Sequence, residues 1–191
     1  MSLKIKKGIP LIDQHDKNGM WGGKFGGSFV PETLKKPIED LEKLFSKLRR
    51  DKSFVKERDY YFENYVGAPT PLIPLNQLTD YLGGAQIWAK VVSENPGTAH
   101  KIYNAIIHCL IAKRAGKKFV CGDTGAGMAG KTLAMVAKKF GLKCKIFMGA
   151  KDIKRQQPNV KAMKKNGADV IPVYSGSQTL VDAVSECMRY W

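Results

Sequence analysis

The chain has few acidic residues, few cysteines and no long apolar run. It carries 17 Asp and Glu against 32 Lys and Arg in 191 residues, a net charge of +15. No apolar run approaches the roughly 18 residues that a membrane-spanning helix needs, so we expect that this protein is not embedded in a membrane. Four of residues 1–7 are charged or polar and no apolar core follows them, which predicts that no secretory signal is present.

The four cysteines are widely separated, and each lies in an apolar stretch. This pattern predicts buried free thiols in a reducing compartment such as the cytoplasm, and it argues against a disulfide framework or a zinc site. The residues concerned are Cys109, Cys121, Cys144 and Cys187.

The excess of basic residues is spread in pairs over helix-like segments, as at Lys117 and Lys118. No DNA- or RNA-binding module surrounds these pairs, so they predict solvated lysine faces and no nucleic-acid partner. Non-specific binding of polyanions is the alternative reading of the charge.

Apolar residues make up 43% of the chain, enough for a compact core. Residues 1–31 are glycine-rich and irregular, and Pro31 stands at a plausible helix start. Helical spacing of apolar residues then predicts a helix over 34–48, and a proline-rich extended connector follows at 66–75.

Short apolar runs and longer amphipathic runs alternate in the rest of the chain. Two predicted helices end before Gly116 and Gly141, and Thr179 with Asp182 has capping-box spacing at the start of the last helix. A further helix is predicted at 158–165. This alternation predicts an α/β fold with a parallel sheet. The strand candidates are 87–92, 119–121, 145–148 and 170–173.

A glycine-rich segment at 125–132 fits the pattern G-x-x-x-x-G-K-[ST] of a phosphate-binding P-loop. In that interpretation Lys131 reaches nucleotide phosphates and Thr132 binds Mg²⁺. An aspartate for the metal at the end of a later strand is not evident, since strand 170–173 is followed by Tyr174.

A second candidate site is the polar loop 95–101, which opens a helix with Lys101. A lysine at the mouth of a parallel sheet is a candidate for Schiff-base chemistry, because partial burial and a nearby anion-binding helix start alter its reactivity. The simpler alternative is one more solvated lysine.

Several segments, taken in order, resemble one family over most of the chain. The chain from residue 21 to Trp191 is similar to the tryptophan synthase β-chain family of fold type II pyridoxal-phosphate enzymes. The matching segments are 23–34, 65–72, 99–101, 110–114, 124–127, 148–152, 155–156 with 158–160, and 175–177. Collinear matches of this kind are more specific than the eight-residue P-loop pattern, which the resemblance makes a coincidence.

The resemblance implies an open parallel-sheet, three-layer α/β sandwich. It divides the chain into an irregular segment at 1–31, the start of the cofactor domain at 32–115, and a mobile α/β domain at 116–191 that contacts the α subunit. It also implies that this chain is truncated: the C-terminal half of the family, which holds the cofactor phosphate and the monovalent cation, lies outside it. No metal ligand is expected here.

The resemblance also implies roles for individual residues. Lys101 would carry pyridoxal 5′-phosphate as a Schiff base, and His100 would lie against the cofactor. The loop of Thr124, Gly125, Ala126 and Gly127 would bind the carboxylate of L-serine, since backbone N–H groups at a helix start form an anion site. Asp123 stands where the family has a glutamate that assists loss of the serine hydroxyl. The implied reaction is that of a carbon–oxygen lyase: β-replacement on L-serine by indole, giving L-tryptophan.

Some positions depart from the family pattern near the chemistry. Met128 and Ala129 replace a Gln-His pair, Tyr103 replaces an asparagine, Ala68 replaces an arginine, and Val181 replaces a lysine used toward the α subunit. These departures leave an alternative open, in which the chain is a non-catalytic remnant that binds the α subunit. The family also forms β homodimers, so that partner is expected of a full-length chain.

Overall fold

The structure is a computed structural model that describes residues 7–16, 19–22, 24–27 and 29–191. The predictions for residues 1–6, and the positions Gly23 and Ser28 of the resembling segment, lie outside the described residues. The chain divides into two compact units, Met1–Leu44 and Phe45–Trp191. All of the candidate site residues belong to the second unit.

The described part of the first unit contains a short hairpin and the beginning of a helix. Strands β1 (Met20–Trp21) and β2 (Phe25–Gly26) pair antiparallel. The indole N–H of Trp21 donates to the carbonyl oxygen of Leu11 at 2.8 Å. Helix α1 (Glu32–Leu48) follows and confirms the helix expected from the apolar spacing.

The second unit opens with helix α2 (Lys52–Tyr61) and a π-helical turn, Phe62–Val66. A hairpin-like pair comes next, in which β3 (Leu72–Pro74) and β4 (Trp88–Lys90) run antiparallel on either side of α3 (Asn76–Leu82). The expectation that 87–92 adds a strand to the parallel sheet is therefore wrong. The extended proline-rich connector supplies a nearer partner, and proline is tolerated there because this pair is an edge.

The central sheet of the second unit has three parallel strands in the order β5-β6-β7. They are β5 (Phe119–Thr124), β6 (Lys143–Gly149) and β7 (Ala168–Val173). The middle strand, β6, is buried along almost its whole length because it has a neighbour at each edge and helices on both faces. The three predicted strands at 119–121, 145–148 and 170–173 are thus confirmed, each as part of a longer strand.

Helices cover both faces of this sheet, as a three-layer α/β fold requires. Helices α5 and α7 contact one face, where Gly130 of α5 approaches Ile146, and α4 packs on α5. Helix α8 covers the opposite face through Ala183 and Cys187. The helices are α4 (Lys101–Arg114), α5 (Met128–Lys139), α6 (Ala150–Arg155), α7 (Gln157–Lys165) and α8 (Leu180–Tyr190).

Local signals in the sequence set several helix ends. The chain leaves α4 and α5 through Gly116 and Gly141, which have φ angles of 68° and 70°. Thr179 and Asp182 form the expected capping box at the start of α8. Among the residues that the structure describes, no helix is both long enough and apolar enough to cross a bilayer.

Candidate functional site

The glycine loop joins the carboxyl end of β5 to the first turn of α5. Thr124 is the last residue of β5, and Gly125 to Gly127 lead into α5 at Met128. Ligands of open parallel sheets bind at this end of the strands. The first N–H groups of a helix have no partner within the helix, so the start of α5 suits an anion such as a carboxylate.

A contact from α7 determines the shape of this loop. The side-chain amide of Asn159 donates to the carbonyl oxygen of Ala126 at 2.7 Å. Gly127 has a φ of 93°, and a Cβ atom there would come within 2.5 Å of the Asn159 Cβ. A glycine is therefore required at 127 both by its backbone conformation and by the close approach of α7.

Two buried threonine hydroxyls stabilise the junction between loop and helix. The Gly130 N–H donates to Thr124 Oγ1 at 3.3 Å, inside the first turn of α5. The Thr132 hydroxyl donates to the Met128 carbonyl oxygen at 2.9 Å, and Thr132 is only 1% exposed. Thr132 is thus enclosed and already bonded, which argues against the Mg²⁺ role that the P-loop interpretation assigns to it.

The loop that carries Lys101 lies against the same helix start. Thr98 Oγ1 is 3.8 Å from Met128 Sδ. A Cβ atom on Gly97 would lie 3.3 Å from Thr132 Cγ2 and 2.8 Å from Ile102 Cβ, so the backbone at 97 is in close contact with both α4 and α5. The structure therefore brings the two candidate motifs, far apart in the sequence, to neighbouring helix starts.

Lys101 is the first residue of α4, and His100 precedes it at the N-cap. Both side chains are exposed. Because Lys101 is exposed, its amine can react with the aldehyde group of a ligand. A lysine buried beneath the helix could not be reached by such a ligand.

Asp123 and Thr124 leave opposite faces of β5, because successive side chains of a strand alternate. Thr124 faces α5, where it accepts from Gly130. Asp123 faces α8, where its charge acts on the thiols of Cys121 and Cys187. The loop 95–101 reaches α5 through Gly97 and Thr98, and Thr124 faces the same helix.

An unpaired buried acceptor tests whether this region fits a bound cofactor. Asn95 is 2% exposed, and its amide N–H₂ donates to the carbonyl oxygens of Val92 and Ala99. Its Oδ1 is buried without a hydrogen-bond partner among the described residues. Because such orphan atoms are rare, Asn95 fits a site completed by a ligand or by further protein. The residues around Lys101 are in this respect compatible with a polar cofactor.

Sequence reasoning missed the structural roles of Asn95 and Asn159. Asn95 begins an Asn-Pro-Gly run typical of a tight turn, which was a signal for its buried position. Asn159 gave no comparable signal, because its contact partner Ala126 lies far away in the sequence.

Residues 64–190 match the family of pyridoxal-phosphate dependent enzymes. The chain belongs to this family, whose members depend on that cofactor.

Three curated relatives carry the name tryptophan synthase beta chain. The protein of Bacillus pumilus is 49% identical over 169 residues, which is 88% of this chain and 42% of the relative. That of Anoxybacillus flavithermus is 48% identical with the same coverage. That of Pseudomonas syringae pv. tomato is 47% identical over 92% of this chain and 43% of the relative.

The chain thus spans less than half the length of the curated relatives that it matches.

Solved structures support the fold. Diaminopropionate ammonia lyase of Escherichia coli matches in its apo form with a TM-score of 0.54 and 22% identity, over 70% of this chain and 41% of the other. The selenomethionine-containing holo form matches with a TM-score of 0.57 and 22% identity, over 73% and 40%. These likenesses confirm the fold type II α/β architecture.

Proposed function

We propose that this chain is the N-terminal part of a tryptophan synthase β chain. Such an enzyme exchanges the hydroxyl group of L-serine for indole and yields L-tryptophan and water. The observation that carries the proposal is the contact between the Lys101 loop and the start of α5, measured between Thr98 Oγ1 and Met128 Sδ at 3.8 Å. The 47–49% identity to proteins of that name supports the choice of reaction.

When bound, pyridoxal phosphate supplies an electron sink for the pair of electrons left when the α-proton is removed. In this proposal Lys101 Nζ binds the cofactor covalently and carries the α-proton, and His100 lies beside the cofactor. The backbone N–H groups of 124–127 orient the serine carboxylate. Asp123 is assigned the departing hydroxyl group because of its place beside Thr124 at the end of β5 and the family resemblance, and this role requires its carboxylate to turn from the α8 side toward the glycine loop.

The family partners are part of the same proposal. The predicted division at 32–115 and 116–191 places the α-subunit contact in the second part, and a β homodimer is expected of a full-length chain. The second candidate function is that of a binding module for the α subunit without catalysis. Its support is the exposure of Val181 on α8, 72%, beside Leu180, which is 44% exposed.

Borohydride reduction after incubation with pyridoxal phosphate tests the catalytic proposal. It is applied to the chain alone and to a chimera in which the part of the Bacillus pumilus relative beyond the matched region follows Trp191. We expect a pyridoxyl group at Lys101, found by peptide mass mapping, and tryptophan formation from serine and indole in the chimera. Lys101→Ala should abolish both, whereas Lys131→Ala, a lysine on the neighbouring helix start, should leave the label in place.

The outcomes separate the candidates. Scattered labelling of lysines in the chimera, or a label that survives Lys101→Ala, contradicts the assignment of Lys101. Binding to an immobilised tryptophan synthase α subunit without any specific label favours the binding module. In that case Val181→Asp should weaken binding, and Tyr81→Asp, at a still more exposed position on α3, should not. ATP binding that needs Mg²⁺ and is lost in Lys131→Ala would instead support the P-loop interpretation.

A further inference from the structure

Two of the four cysteines face each other across the interface between β5 and α8. Cys187 belongs to a buried cluster with Phe147, Val173 and Ala183, and Cys121 packs against that cluster. The two thiols are close enough that each shifts the pKa of the other. Cys187 is 9% exposed and Cys121 is partly exposed, so a small solute can reach the edge of this pair.

The charges around Cys121 favour its thiolate. The Cys187 thiol lies next to the Cys121 sulfur, and Lys145, the register partner of Cys121 on β6, lies on the same face of the sheet. Cys187 is the main reason that the pKa of Cys121 lies below its usual value, and a backbone hydrogen bond and Lys145 lower it further, although partial burial and Asp123 act in the opposite direction. The pKa of Cys187 is raised, chiefly by its interaction with the Cys121 sulfur and by burial, so Cys187 keeps its proton. One sulfur is therefore a nucleophile and its neighbour a protonated thiol.

The other two cysteines lack this arrangement. Cys109 and Cys144 are 0% and 4% exposed. Burial raises the pKa of each to about 12, with a smaller contribution from a neighbouring cysteine. They are inert thiols in the same chain and serve as internal controls for reactivity.

We propose that Cys121 and Cys187 form a peroxide-sensitive thiol pair that closes to a reversible disulfide. The Cys121 thiolate attacks hydrogen peroxide, breaks the O–O bond and becomes a sulfenic acid, while hydroxide leaves and takes up a proton as water. The Cys187 sulfur then attacks the sulfenic sulfur, its proton leaves with the hydroxyl group as a second water, and the S–S bond forms. The two sulfurs together lose two electrons, and peroxide accepts them.

The Cys121–Cys187 disulfide would link α8 covalently to β5, two residues before Asp123. It would hold the helix that covers this face of the sheet against the strand that ends at the glycine loop. This modification does not depend on the proposed reaction, because it uses no residue assigned to cofactor or substrate.

Mass mapping of the peroxide-treated chain tests the pair. We expect a peptide that joins Cys121 to Cys187, with two hydrogen atoms lost, that dithiothreitol restores to free thiols. Before oxidation, iodoacetamide at neutral pH should modify Cys121 more than about tenfold faster than Cys109 or Cys144. Cys121→Ser and Cys187→Ser should each abolish the link, and Cys109→Ser and Cys144→Ser should retain it.

Several results overturn the proposal. They are similar oxidation of all four cysteines, a link between two copies of the chain in place of the internal one, or accumulation of sulfinic acid at Cys121 without a link. The presence or absence of the Cys121–Cys187 link in the wild-type chain tests the proposal even where a variant folds poorly. Far-UV circular dichroism identifies such a variant.

Discussion

The side-chain amide of Asn159, near the start of α7, donates a 2.7 Å hydrogen bond to the carbonyl oxygen of Ala126 in the glycine loop. The carbonyl of Ala126 and the N–H of Gly127 belong to one planar trans peptide group and point in opposite directions. Asn159 therefore turns the Gly127 N–H away from α7. This is how a helix outside the loop orients a donor that the proposed function assigns to the serine carboxylate.

Removal of the Asn159 amide should have a local effect on the loop. Asn159→Ala should cost about 1 kcal/mol of unfolding free energy in urea, the usual net value of one hydrogen bond. Asn159→Asp should cost more, because it sets a carboxylate oxygen against the Ala126 carbonyl. Asn166→Ala is the matched control, since Asn166 in the same region donates to the Ala162 carbonyl at 2.9 Å away from the loop.

The two asparagine variants should differ in binding. In the chimera, Asn159→Ala should raise the KM for serine, while Asn166→Ala should change stability alone. Equal KM values for wild type and Asn159→Ala would show that this bond does not orient the carboxylate donors.

Alanine at Gly127 should destabilise the chain more than alanine at Gly141. Both glycines have positive φ, 93° and 70°, so both variants carry backbone strain of about 1–2 kcal/mol. Only at Gly127 does the added Cβ meet a neighbour, Asn159 Cβ at 2.5 Å, whereas the space at Gly141 is open. Urea unfolding should show an additional loss of about 1–3 kcal/mol at 127. Equal losses would mean that α7 moves aside without cost.

Alanine at Gly130 should destabilise the protein although Gly130 lies inside a helix. Helix propensity alone would favour alanine by about 1 kcal/mol. A Cβ at 130, however, would lie 2.6 Å from Met163 Sδ and 2.9 Å from Ile146 Cγ2. A double-mutant cycle with Met163→Ala should show a smaller loss than the sum of the single changes, because the shorter side chain makes room. A stabilised Gly130→Ala variant would contradict this packing.

The stability of the α8 start should depend on pH through Asp182. Its carboxylate accepts from the Ser177 hydroxyl at 2.6 Å and from the Thr179 N–H at 3.4 Å. The Ser177 hydrogen bond is the main reason that the pKa of Asp182 is lower in the folded chain than the ordinary value of about 3.9. Its contribution is therefore complete above the ordinary pKa, and it is lost as pH falls through the lowered pKa.

Unfolding in urea between about pH 5 and about pH 3 measures this dependence. Asp182→Asn should remove part of the loss of stability that the wild-type chain shows on acidification. Asp169→Asn, at an exposed carboxylate on β7, should leave that loss unchanged. Parallel pH curves for wild type and Asp182→Asn would refute the assignment.

Prediction from the sequence was accurate where the signal is local. Helices α1, α4, α5, α7 and α8 and the three parallel strands follow from apolar spacing and from the glycines and capping residues at their ends. Helix α2 was missed although Asp51 caps it through the N–H groups of Ser53 and Phe54. Its apolar spacing is weak, and only Phe54 of its residues is buried.

The pairing of β4 shows where local reasoning failed. Residues 87–92 look like another strand of the parallel sheet, yet Trp88–Lys90 pairs antiparallel with Leu72–Pro74. A β-branched or apolar run specifies an extended backbone, but it carries no information on which neighbour accepts its hydrogen bonds.

The sequence by itself determined the α/β order, the glycine loop after β5, the capping box of α8 and the resemblance that singles out Lys101. Each of these depends on residues close together in the chain. Only the tertiary structure decided that the Lys101 loop touches the start of α5, that Asn159 holds Ala126, and that Cys121 meets Cys187. Such contacts join distant segments, and they arise from how helices pack on the two faces of a sheet, which no local pattern encodes.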